Sequence, residues 1–129
     1  MQKMNGYKLL MIGLGGAIGS IARYLSVKLI DEKLNAVFPF GTLTVNIVGS
    51  FLLGMIYMLA LRKVGLTENG RLFLGVGLCG GFTTFSAFAL ENFNLIHQKF
   101  FGLSVLYISC SVVAGILALA AGVWMSRFF

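Results

Sequence analysis

The sequence has little charge, one proline and few residues that could carry catalysis. Only 11% of its 129 residues are charged, four residues are acidic, and 58% are hydrophobic. Soluble domains carry roughly a quarter charged residues, so this composition excludes an ordinary soluble domain. Cys79, Cys110 and the lone His97 are far apart in the sequence, and they form no metal-ligand motif. With no nucleophile–base pair and no phosphate-binding loop in a suitable context, nothing in the sequence indicates an enzyme.

The sequence contains long apolar stretches. Four stretches contain no charged residue, and they cover residues 9–22, 34–61, 72–90 and 100–126. A membrane-spanning helix needs about 20 apolar residues, which the first and third stretches reach only if Arg23 and Glu91 are drawn into the membrane. We predict an all-α membrane protein with a single domain over residues 1–129 and four transmembrane helices, at residues 7–30, 42–61, 72–97 and 101–126. The net charge of +6 is spread over the segment ends, which indicates contact with anionic lipid and not with nucleic acid.

The third predicted span carries residues that weaken a helix. Glycine stands at positions 75, 77, 80 and 81, and Thr83 and Thr84 follow. We predict that this helix is broken in the middle of the membrane, where irregular backbone is tolerated only inside protein or beside a watery cavity. Such interruptions are typical of ion sites. Phe85, Phe88 and Glu91 follow at intervals of three and would share one face of the resumed helix.

Two further spans carry polar stripes at helical spacing. The stripe in the second span consists of Thr42, Asn46, Ser50 and Gly54, and that in the fourth span of Ser104, Tyr107, Ser111 and Gly115. A single intramembrane asparagine can simply join two helices, but its place in a stripe favours Asn46 as a pore-lining residue. Neither stripe can face lipid without cost. A unit of four helices has little interior of its own in which to bury these stripes. The sequence therefore suggests a homo-oligomer, most simply a two-fold dimer.

The first predicted span combines small residues with an arginine. Gly15 and Gly19 form a GxxxG pair, which predicts close packing against another helix. Arg23 lies in the later part of the span. Two interpretations of Arg23 stay open: an anchor at the membrane interface, and a positive vestibule that attracts an anion.

Three motifs together resemble one known family. GGAIGSIARY in the first span, GTLTVN in the second and GGFTTFSAFALE in the third resemble the small bacterial fluoride channels of the Fluc (CrcB-type) family. The resemblance implies an antiparallel, dual-topology homodimer in the bacterial plasma (inner) membrane, with two fluoride pores and a structural sodium ion on the two-fold axis. It also implies a passive channel that exports cytoplasmic fluoride and so confers resistance to fluoride toxicity.

The resemblance assigns roles to individual residues. Gly80 and Thr83 match the positions whose backbone carbonyls hold the sodium ion. The residues that match positions of the fluoride pathway are Arg23, Asn46, Phe85, Phe88, Glu91, Tyr107 and Ser111. Ser86 adds a hydroxyl that can donate to fluoride, and the electropositive ring edges of phenylalanine can face an anion. Relatives often carry hydroxyl residues at three positions that here hold Ala87, Ala89 and Gly115.

One alternative is a small dual-topology exporter of multiple drugs or cations. Such exporters need an acidic residue within the first span, whereas residues 7–30 contain none and Arg23 is a cation. Another alternative, a membrane scaffold without transport, would need neither the two polar stripes nor the interrupted helix. The residues alone predict an ion pathway, and the choice of fluoride comes from the resemblance.

Overall fold

A computed structural model describes residues 3–129 of the chain. In that part every regular element is helical, and four helices are long and apolar enough to cross a membrane, which confirms the predicted all-α, multi-pass membrane protein. The elements are α1 (Gly6–Leu34), α2 (Phe40–Leu61), α3 (Glu68–Arg71), a π-helical segment (Leu72–Cys79), α4 (Gly80–Phe82), α5 (Phe85–His97), α6 (Phe101–Met125) and a final 3₁₀ turn (Ser126–Phe128). The third span, Glu68–His97, thus combines α3, the π-helical segment, α4 and α5.

Helix α1 extends beyond the span predicted for it. It continues past residue 30 to Leu34 and ends at Asn35, whose φ of 46° is left-handed. The additional turn brings Asp31 to the start of α2, where its Oδ1 accepts a hydrogen bond of 3.0 Å from the Gly41 N–H. Pro39, the residue before α2, provides no side-chain cap. Asp31 therefore satisfies one of the free N–H groups at this helix end.

Helix α1 packs against the third span through its small residues. Gly15 and Gly19 are its buried residues. A Cβ at Gly15 would overlap the Phe73 carbonyl oxygen, and a Cβ at Gly19 would overlap that of Leu78. The two helix backbones are thus in direct contact, and the predicted packing role of the GxxxG pair is confirmed.

Helices α2 and α6 form the other main contact of the fold. Gly54 of α2 lies against the Leu119 carbonyl of α6, and Gly122 of α6 lies against the Phe51 carbonyl of α2. Helix α5 contacts α6 and, less extensively, α2. Helix α5 therefore packs mainly against α6.

Two extended residues separate α4 from α5. Thr83 has φ −93° and ψ 157°, and Thr84 has φ −151° and ψ 124°. Gly80 and Gly81 stay helical, although the sequence placed them within the predicted interruption. Gly81 instead allows close packing, because a Cβ there would lie 2.5 Å from the Gly16 carbonyl oxygen. Such contacts offset the cost of about 1 kcal/mol for glycine within a helix.

Candidate ion pathway

Asn46 holds the extended segment between α4 and α5. Its Nδ2 donates a hydrogen bond of 3.0 Å to the Thr84 carbonyl, and its Oδ1 accepts one of 2.8 Å from the Thr84 N–H. Both backbone groups of Thr84, which helical bonding would normally satisfy, thus pair with one side chain. Asn46 thus joins α2 to this segment, and its side chain also lines a cavity.

Other bonds complete this junction. The Thr83 hydroxyl donates to the Cys79 carbonyl at 2.9 Å. The Thr84 hydroxyl accepts from the Ala87 N–H at 3.1 Å, so Thr84 is the N-cap of α5. Arg23 of α1 donates from Nε to the Gly81 carbonyl at 3.0 Å. Arg23 therefore points into the protein toward the end of α4, an interaction that neither interpretation of the sequence included.

A cavity of about 400 Å³ lies beside the junction and opens to the surface. Polar side chains of α2 and α6 line it together with the junction and the first turn of α5. The predicted site residues on its wall are Asn46, Gly80, Thr83, Phe85, Phe88 and Ser111. The Ser111 hydroxyl oxygen is buried and has no hydrogen-bond partner within residues 3–129. Such a hydroxyl is available to a ligand or to water.

Aromatic rings continue from the cavity toward the loop between α1 and α2. The Phe85 and Phe88 ring centroids are 5.6 Å apart with the planes at 42°. The Tyr107 ring follows at 5.0 Å from Phe88 and 61° to it, an edge-to-face contact. Phe38 extends the series, with its centroid 5.4 Å from that of Tyr107. Phe38 lies outside every predicted span, so helical spacing within the spans could not identify it as part of this series.

Glu91 lies at the far side of these rings and accepts two hydroxyl hydrogen bonds. The Thr42 Oγ1 donates to its Oε1 at 2.5 Å, and the buried Tyr107 hydroxyl donates to its Oε2 at 3.1 Å. A smaller cavity of about 210 Å³ adjoins Glu91 and is also lined by Arg23 and Lys28. Two cationic side chains and one acidic side chain therefore share this cavity.

The structure thus brings most of the predicted pathway residues to one continuous region. Asn46, Ser111 and the two phenylalanines meet at the larger cavity, and Tyr107 and Glu91 follow next to it. Ser86 is exposed and lies outside the cavity wall, with its hydroxyl 3.3 Å from that of Thr84. Reasoning from the sequence missed Asn92, a buried polar residue of α5.

Comparison with known proteins identifies the family. The family model described as "CrcB-like protein, Camphor Resistance (CrcB)" matches residues 10–123. The chain belongs to this family. It is 44% identical over 120 residues to a protein of Chlorobium chlorochromatii named "Fluoride-specific ion channel FluC", with 93% of this chain and 92% of the relative covered.

Two further relatives carry the same name. The protein of Leptospira interrogans is 45% identical over 121 residues, which cover 94% of this chain and 95% of the relative. That of Bacteroides fragilis is 42% identical over 125 residues, which cover 95% of this chain and 98% of the relative. These relatives of the CrcB family are named as ion channels, in agreement with the prediction that the chain is not an enzyme.

Proposed function

We propose that two copies of this chain form a passive, fluoride-selective channel that exports fluoride from the bacterial cytoplasm. The observation that carries the proposal is the continuous series of hydrogen-bond donors and aromatic edges from Asn46 and Ser111 to Phe88 and Tyr107. The names of the relatives supply the identity of the ion. The channel would lie in the plasma membrane and protect the cell from fluoride toxicity.

The side chains along this path suit a small, strongly hydrated anion. Hydroxyl and amide groups replace the donors of water, and the rims of the phenylalanine rings carry partial positive charge. The Glu91 carboxylate already accepts hydrogen bonds from Thr42 and Tyr107, so hydroxyls are oriented toward negative charge at this level. Several weak sites in series would let the ion leave as well as enter.

A second copy of the chain would close the larger cavity. The cavity opens to the surface although Asn46, Ser50 and Ser111 line it, and Phe85 at its mouth is 79% exposed. Polar groups in contact with lipid are costly. A partner related by a two-fold axis would cover them with its own equivalent surface, and the family resemblance implies that this partner lies antiparallel, which requires dual topology.

The junction between α4 and α5 offers oxygen atoms to a structural sodium ion at the dimer interface. Gly80 and Thr83 both lie on the wall of the open cavity, whereas the Gly81 carbonyl is already bonded to Arg23. No group of three acidic, histidine or cysteine side chains within residues 3–129 is placed to hold a metal. A hard monovalent cation held by backbone oxygens fits this donor set. The Gly80 and Thr83 carbonyls of both copies would hold it.

Ion efflux from liposomes that contain only this protein tests the proposal. Liposomes loaded with potassium fluoride and potassium chloride receive valinomycin, and electrodes record the release of each anion. We expect fluoride release without a proton gradient and retention of chloride. Release of neither anion, or of both equally, would contradict the proposal. Transport that requires a proton gradient and carries organic cations would favour the exporter instead.

A further inference from the structure

A buried polar pair joins α5 to α6 next to the aromatic rings. Asn92 and Leu95 are the buried residues of α5. The Asn92 Nδ2 donates to the Phe88 carbonyl at 2.9 Å, and its Oδ1 accepts from the Ser104 hydroxyl of α6 at 2.9 Å. Asn92 is 7% exposed and Ser104 is 2% exposed. Each side chain thus satisfies a group that would otherwise be buried without a partner.

The Asn92–Ser104 pair lies one helical turn from the contacts of the proposed pathway. Ser104 and Tyr107 are three residues apart on α6 and so share one face of the helix. Tyr107 contacts the Phe88 ring edge-to-face and donates to Glu91. Helix α6 therefore contacts α5 at two successive levels, once through the buried pair and once through Tyr107.

Few contacts hold α5: besides the Asn92–Ser104 pair, Glu91 accepts hydrogen bonds from Thr42 and Tyr107, and Leu95 is buried. Large side chains on its other faces are exposed, among them Phe85 at 79%, Leu90 at 61% and Phe93 at 65%. The Asn92 side chain bonds to the carbonyl of Phe88 itself. A change in the hydrogen bond between Asn92 and Ser104 would therefore act on the backbone of Phe88, the residue whose ring contacts Tyr107.

We infer that Asn92 and Ser104 are positioning residues for Phe88, and that their hydrogen bond sets the selectivity of the channel for fluoride over chloride. This inference rests on the proposed function, in which the edge of the Phe88 ring meets the ion. Neither side chain is on the wall of the larger cavity. The two residues act through Phe88 and do not contact the ion. A ring displaced by a fraction of an ångström loses the spacing that favours the smaller anion.

Three variants test the inference in the liposome assay. Asn92→Leu keeps the bulk and removes both hydrogen bonds, and Ser104→Ala removes one. The double variant removes both partners, so neither is left unsatisfied and stability should recover. The matched control is Ser109→Ala, an exposed serine on the same helix. Efflux of fluoride and of chloride and the melting temperature of the purified protein are measured for each.

We expect fluoride efflux per folded protein to fall about 10- to 100-fold in Asn92→Leu, by analogy with the cost of ångström-scale misplacement at reactive groups. The fluoride-to-chloride ratio should fall as well. In the double variant the melting temperature should recover while the ratio stays low. A purely structural pair would only reduce the amount of folded protein, which scales both effluxes equally and leaves the ratio unchanged.

The outcomes separate this inference from the proposed function. An unmodified chain that releases no fluoride contradicts the proposed function itself. An unmodified chain that is selective, with variants that keep the same ratio, overturns only the role of Asn92 and Ser104. If the double variant recovers both the fluoride-to-chloride ratio and the melting temperature, the positioning role is overturned as well. If Asn92→Leu does not fold, Ser104→Ala decides the question, because it retains the bond between Asn92 and the Phe88 carbonyl.

Discussion

Replacing Asn46 with alanine removes both side-chain hydrogen bonds to Thr84. The Thr84 N–H loses its acceptor at 2.8 Å, and the Thr84 carbonyl loses its donor at 3.0 Å. An unsatisfied buried group costs about 1–3 kcal/mol. Asn46 and Thr84 are both only half-buried. We therefore expect the free energy of unfolding to fall by about 2–3 kcal/mol, the low end of the cost for two unsatisfied groups. That is a substantial part of a typical stability of about 5–15 kcal/mol.

A series of variants separates the two bonds of Asn46. Asn46→Asp keeps an acceptor for the Thr84 N–H but places a carboxylate against the Thr84 carbonyl and on the proposed anion path. Asn46→Ala should lower both melting temperature and fluoride efflux, whereas Asn46→Asp should abolish efflux even in protein that folds. Thr44→Ala is the matched control on α2, because the exposed Thr44 bonds to the Phe40 carbonyl of its own helix. Wild-type stability and efflux in Asn46→Ala would refute this role for Asn46.

Three other predictions concern the rings, the α6 stripe and the cation. Phe88→Ile should lower fluoride efflux far more than it lowers the melting temperature. The control Phe93→Ile should leave efflux unchanged, because Phe93 stacks on His97 away from the cavity. Equal efflux in the two variants would contradict the role of the Phe88 ring. Gly115→Ser should fold and keep its efflux, because the nearest atom to a Cβ there is 4.0 Å away. Gly122→Ser should destabilise the protein, because its Cβ would overlap a carbonyl oxygen of α2. A Gly122→Ser protein more stable than Gly115→Ser would contradict this packing. Exchange of sodium for a large organic cation should lower dimer stability and efflux without altering selectivity, and indifference after prolonged exchange would argue against the sodium site.

The sequence was sufficient to predict the number of spans and the surfaces that pack. The length of the apolar stretches predicted the four long helices, and the GxxxG spacing predicted that Gly15 and Gly19 pack closely against another helix. Both are local patterns that physical rules interpret directly. The polar stripes were also informative, because Asn46 and Ser111 do meet at one cavity.

The sequence was less informative where a contact depends on a distant partner. Composition located the weak part of the third span, which includes the two threonines that leave the helix, but it did not show that Gly81 stays helical and packs against Gly16. The pairing of Asn92 with Ser104 joins different helices, and no period in the sequence relates them. Arg23 likewise bonds to a carbonyl 58 residues away. Such contacts follow from tertiary packing.

A reversal potential tests most directly whether the chain conducts fluoride passively. The purified protein is placed in a planar bilayer with a tenfold fluoride gradient, equal chloride on both sides and an impermeant anion for balance. We expect a current that reverses at the fluoride equilibrium potential, about 59 mV for a tenfold ratio of a monovalent ion. This potential should not shift when a pH gradient is added. Reversal at zero, or a reversal potential that follows the pH gradient, would contradict it.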